Sequence, residues 1–123
     1  MKLNLREVHN KLKSLGYVYC QDGVSQRKSR WVKNLNQVRK NLMIYVVEYD
    51  FTGMEHVLPP QDPGTHFDVR IYMGDTNPAV ELTLYSFGWD IENLWKTLAQ
   101  ADDLVPKLLE LFPEEVHSEA ESC

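Results

Sequence analysis

Cysteine is scarce in this chain, with Cys20 and Cys123 the two present in 123 residues. One falls in a strand-like segment and the other at the last position, so a bridge would require the tail to fold back to the sheet. Two free thiols in a reducing compartment are expected. Long apolar runs are also missing. The longest, Leu42 to Val47, is strand-sized, which excludes a membrane-crossing helix. The opening residues Met1 to Glu7 lead into a charged amphipathic pattern without the apolar block of a secretory signal, and the expected location is the cytoplasm. The six glycines, at 16, 23, 53, 64, 74 and 88, stand apart as turn punctuation and form no phosphate-cradling loop. There is no G-x-S-x-G elbow, no H-x-x-x-H or C-x-x-C pair, and no repeat at a solenoid period. On these grounds the chain is expected to use no cofactor and no metal and to have no catalytic residues.

What is present is a globular composition, 43% hydrophobic and 25% charged. At this length a folded chain buries roughly two thirds of its unfolded surface, enough for a core without staples. Collagen-like, disordered and disulfide-stapled classes are excluded. Charge is the least ordinary property. Residues 1 to 40 hold ten of the thirteen Lys and Arg against Glu7 and Asp22, a balance of +8, while the rest carries three cations and sixteen carboxylates, a balance of −13. Whether this polarity exists in space depends on which elements lie side by side.

Leu5, Val8, Leu12 and Leu15 recur at helical spacing, with Asn4 and Glu7 placed as a capping box and Gly16 as the terminator. A helix is predicted over 4–15. Tyr17 to Gln21 reads as a strand closing at an Asp22-Gly23 turn, and a weakly patterned second strand falls around Arg30 to Asn34. Asn41 to Phe51 is β-branched and aromatic without Gly or Pro, a central strand. A Pro- and Gly-rich loop, 52–65, follows. Phe67, Val69, Ile71 and Met73 alternate with polar residues, and Val80, Leu82 and Leu84 do so after a turn at 74–78, giving two antiparallel strands. Asp90 caps a helix with apolar positions Ile91, Leu94, Trp95 and Leu98. Pro106 is expected to divide this region, with a new helix beginning at Asp102 or Asp103 and ending at Pro113. The expected fold is α+β, order α-β-β-β-β-α-α: an antiparallel sheet of about four strands with the N-terminal helix and one or two C-terminal helices on one face. Residues 1–113 form one domain, and the acidic tail 114–123 is expected to be disordered.

The sharpest functional feature is the segment 27–40, with six cations in fourteen residues and no carboxylate. Arg27, Lys28, Arg30 and Lys33, with Trp31 among them, suit contact with an acidic surface on another protein or on a second copy of this chain. The same residues suit phosphate neutralisation with Trp31 stacked on a base, a nucleic-acid-associated regulator. Structurally, they suit a solvated hairpin whose Trp31 anchors it to the core, and the overall pI near 5.3 favours that over nucleic-acid binding. A second partner surface is expected on the sheet face that the helices leave open, where Arg70, Tyr72 and Tyr85 join Glu81, Thr83, Tyr45 and Tyr49. On that face Arg70 and Glu81 form a cross-strand pair. A third class, an enzyme, would place its site near loop 52–65 around Asp50, His56, His66 and Asp68. The expected function is a small non-enzymatic binding or regulatory protein working through protein contacts, hetero- or homo-oligomeric.

Overall fold

The computed structural model describes residues 4–21 and 28–113. The Asp22-Gly23 turn, Arg27, Cys123 and the tail 114–123 lie outside the described residues. The elements are α1 (Leu5–Ser14), β1 (Val18–Gln21), β2 (Lys28–Asn34), β3 (Leu42–Asp50), a 3-10 turn (Glu55–Val57), β4 (Thr65–Met73), β5 (Val80–Gly88) and α2 (Ile91–Leu111). All five strands form one antiparallel sheet in chain order, so the fold is α+β. The sheet has five strands rather than about four, because the weakly patterned basic segment is a full strand paired on both sides. Its signal is faint because Trp31 is its one buried residue.

The N-terminus of α1 forms as its capping box implies: Asn4 Oδ1 accepts from the Glu7 N–H at 3.2 Å, and Asn4 Nδ2 donates to Glu7 Oε1 at 3.2 Å. Gly16 ends the turn in the left-handed region at φ +97°. The C-terminal region is one helix, not two, with Pro106 inside it. An interior proline removes one helix hydrogen bond and crowds a carbonyl, at about 3 kcal/mol. Leu94, Leu98, Ala101, Val105 and Leu108 stay in phase across it and all are buried, so packing offsets the local cost.

Strand alternation gives the sheet two different faces. Trp31, Leu42, Ile44, Val46, Phe67, Val69, Ile71 and Met73 point to the side covered by both helices and join Val8, Leu12 and the α2 stripe in the main core. On the other side Tyr45, Val47 and Tyr49 form a second cluster with Val32, Met43, Phe51 and Tyr72. No helix among the described residues covers this outer face, and none is long and apolar enough to cross a membrane.

Candidate functional site

The outer face is built around β3 and β4. Its centre is Asp68, with no solvent exposure at all. An isolated buried carboxylate is costly, so its oxygens need donors. Tyr49 Oη donates to Oδ2 at 2.9 Å, Arg70 Nη2 donates to the same oxygen at 2.7 Å, and the Phe87 N–H donates to Oδ1 at 2.7 Å. Arg70 also approaches Glu81 at 3.7 Å, the expected cross-strand pair, and Glu81 accepts a short hydrogen bond from Tyr45 Oη.

This network shifts its members. Burial, the hydrogen bond to Asp68 and that carboxylate's charge push Tyr49 up to about 12. Burial and the bond to Glu81 raise Tyr45, partly countered by Arg70. For Arg70, burial works against the charge, but the bonds to Asp68 and Tyr45 prevail and raise it, so the guanidinium stays charged.

Two cations of β2 complete the face. Lys28 stands opposite Tyr49 in register and its Nζ lies 5.7 Å from that ring, while the Arg30 guanidinium lies 5.7 Å from the Tyr45 ring. Neither forms an ion pair among the described residues. Tyr45 and Tyr49 are buried on a face without a helix because Val32, Met43, Phe51 and Tyr72 pack against them.

The remaining sequence candidates separate. Trp31 is core, 2% exposed, its ring 4.9 Å from His9 and 5.2 Å from Tyr19 and its Nε1 donating to Glu48 at 3.3 Å. It is the anchor of the strand rather than a free stacking surface. Lys33 points to the helix side and pairs with Asp102 at 3.1 Å. Tyr72 lies on the outer face, half-buried.

Tyr85 was expected beside Glu81 and Thr83, and the structure corrects this. A bulge in β5 pairs Thr83 with Arg70 but Tyr85 with Val69, so Tyr85 turns to the helix side. There its hydroxyl accepts from the Asp90 N–H at 3.1 Å and its ring lies so close to Gly88 that a Cβ would collide with it at 1.9 Å.

A second register shift, between Val69 and Phe67, returns the next odd-numbered residue, Phe87, to the outer face. Phe87, at φ +50°, is 49% exposed and stacks on Tyr49 with centroids 4.6 Å apart. Phe51 lies parallel to Tyr49 at 6.1 Å, and His66 meets Phe51 at 5.1 Å and Trp89 at 5.0 Å. The ring column ends at this His66, whose Nε2 pairs with both oxygens of Asp62 at 2.8 and 2.7 Å. The spacing Asp62 to His66 across the Gly64 turn was the available signal. The residues named for an enzyme site take different partners: Asp50 caps the Thr52 turn, His56 is exposed, His66 turns to Asp62, and Asp68 serves Tyr49, Arg70 and Phe87. Among the described residues no group of three His, Cys, Asp or Glu is placed to hold a metal ion.

The outer face thus presents aromatic rings, a self-contained charged network and two cations without a counter-ion among the described residues. Comparison with known proteins finds no match to any family model, curated protein or solved structure.

Proposed function

We propose that this chain is a cytoplasmic, non-enzymatic binding module whose outer sheet face docks an acidic surface of another protein. One observation carries the reading: Lys28 and Arg30 stand 5.7 Å from the Tyr49 and Tyr45 rings with no carboxylate partner among the described residues, whereas Lys33, Arg39 and Arg70 are all paired within the chain. Pre-placed cations over rigid rings supply both steering and buried area at low entropic cost. Tyr, Met and Arg are also the residue types enriched at protein interfaces. A nucleic-acid partner is served less well, because Trp31 is in the core and Lys33 and Arg39 are neutralised, leaving few cations to replace counter-ions.

The test uses immobilised poly-L-glutamate as the acidic probe, with a single-stranded oligonucleotide in parallel. Wild type is retained on polyglutamate at about 20 mM salt and released by about 300 mM, as screening shortens the range of the attraction. K28E/R30E passes through unretained with an unchanged circular dichroism spectrum. Retention that survives this substitution, or tighter binding to the oligonucleotide than to polyglutamate, refutes the proposal.

A further inference from the structure

A cleft of about 740 Å³ lies away from the outer face, where the first turns of α1 and α2 meet the Pro-rich loop. Its apolar lining is dominated by two indoles, Trp89 and Trp95, with Ile91 and Pro63. Its volume lies within the range of ligand sites, though it is an open cleft whose rim is polar. Trp89 is 36% exposed, and Trp95 is half-buried against the core on the inner stripe of α2.

The chemistry of the occupant follows from what the cleft already holds. Lys11, one of its lining residues, places its ammonium 4.7 Å from the centroid of Trp95. The indole face therefore takes a cation even from a flexible side chain that has water as its alternative. Around it stand three carboxylates, Glu7, Asp90 and Glu92, none of them in an ion pair among the described residues.

Two helix N-termini at the same place would argue for an anion, but their amides are occupied. Glu7 N–H goes to Asn4, and Asp90 Oδ1 accepts from the Glu92 and Asn93 N–H groups at 3.0 and 3.3 Å. Counting each helix end as roughly half a positive charge, the three carboxylates still outweigh both ends and Lys11 together. The excess grows when Lys11 swings aside.

We propose that this cleft binds an arginine or lysine side chain of a basic peptide segment, which displaces Lys11 from Trp95 and lies between the two indoles. The peptide is favoured over a small amine because the cleft holds several carboxylates and more volume than one cation fills. The cleft meets the outer face at Trp89, whose ring lies 5.0 Å from His66, but the inference does not rest on that reading.

The experiment titrates an acetylated, amidated tri-arginine peptide into the full chain and follows tryptophan fluorescence, with argininamide and triglutamate in parallel. Tri-arginine quenches the exposed indoles, argininamide does so at least tenfold more weakly, and triglutamate has no effect. E7Q/E92Q, which changes charge at exposed positions and leaves the caps in place, weakens tri-arginine binding about tenfold. K11M removes the tethered competitor and tightens it about threefold. Binding that is unchanged in E7Q/E92Q, or weakened in a K11M protein with a native circular dichroism spectrum, overturns the proposal. Equal affinity for argininamide overturns the peptide as occupant. Concentration-dependent self-association that K28E/R30E abolishes would place a second copy's basic strand in the cleft, and overturns it as well.

Discussion

Replacing Asp68 with Asn changes the centre of the outer face while keeping its shape. The carboxylate is completely buried and accepts from Tyr49, Arg70 and the Phe87 backbone. An amide retains one acceptor oxygen and presents an NH2 group on the other side. Either that group meets the Phe87 N–H, donor against donor, or it meets Arg70, which has no acceptor to offer. Hydrogen bonds to a charged group contribute about 1.5 to 3 kcal/mol each, and breaking a buried ion pair costs about 3 to 5 kcal/mol. The Arg70 side chain is 28% exposed and keeps Glu81 nearby, so the lower end applies. A loss of about 3 kcal/mol is expected, which lowers the melting temperature by about 10 °C in a domain of this size. The assay is urea unfolding followed by circular dichroism, with D103N, an exposed carboxylate on α2, as control. The expected outcome is a lower midpoint at unchanged slope for D68N, and a shift below about 0.5 kcal/mol for D103N. A D68N loss under about 1 kcal/mol refutes the reasoning, since it would mean that Asp68 is not the partner that holds Arg70 and the bulge together.

Tyr49 sits at about 12 in the folded chain against 10.0 unperturbed, so the folded state keeps its phenolic proton longer than the unfolded state does. The stability this contributes is full below pH 10 and is lost as pH climbs towards 12; Y49F should therefore flatten the alkaline fall in urea midpoint, and an unchanged fall contradicts the assignment. P106A restores an amide to the interior of α2 at an exposed position and should stabilise the fold by about 1 to 3 kcal/mol, read as a raised urea midpoint; no gain would show that the helix does not bear the proline's cost. R39M should cost about 2 to 4 kcal/mol with little dependence on salt, because its buried guanidinium holds Asp75 at 2.7 Å and the Phe112 carbonyl at the end of α2. K33M should cost under about 1 kcal/mol, and salt should erase the difference, because the pair with Asp102 is solvent-exposed. Equal costs and equal salt dependence would refute that contrast.

The regular elements were legible because their signals are local. The Leu5 to Leu12 stripe, the unbroken β-branched and aromatic run of β3, the alternation in β4, and the Asn4 and Asp90 caps all act within a turn or a strand of themselves. Failures came where a distant contact decides. Pro106 reads locally as a boundary, yet Val105 and Leu108 find the sheet and carry the helix through it. Tyr85 follows Glu81 and Thr83 by parity, but an extra residue in β5 after Thr83 turns it to the helix side, and a second register shift before Gly88 returns Phe87 to the outer face. No hydropathy pattern reports a bulge; the buried Asp68, a charge in the middle of an apolar alternation, was its one sequence trace, since it supplies the acceptor for the Phe87 amide. Asp62 and His66 likewise meet only because Gly64 turns the loop back at φ +85°.

The bipolar charge of the sequence is partly cancelled by the fold, and this narrows the choice of surface. On the helix side of the sheet Lys33 of β2 reaches Asp102 of α2, sixty-nine residues later. Arg39 meets Asp75, and Arg70 meets Asp68. Each of these pairs is a structural use of a cation that the linear count assigned to an external partner. On β2 alternation then separates the cations by face: Lys33 goes with Trp31 towards the helices, and Lys28 and Arg30 go outward onto Tyr49 and Tyr45. A single strand thus uses one parity to join the acidic half of its own chain and the other to present, among the described residues, unpaired charge beside aromatic rings. The helix side inverts the arrangement, with carboxylates Glu7, Asp90 and Glu92 around Trp89 and Trp95. The molecule keeps a cationic aromatic face and an anionic aromatic cleft in different places, which is the distribution expected of a chain that engages partners of opposite charge at separate sites.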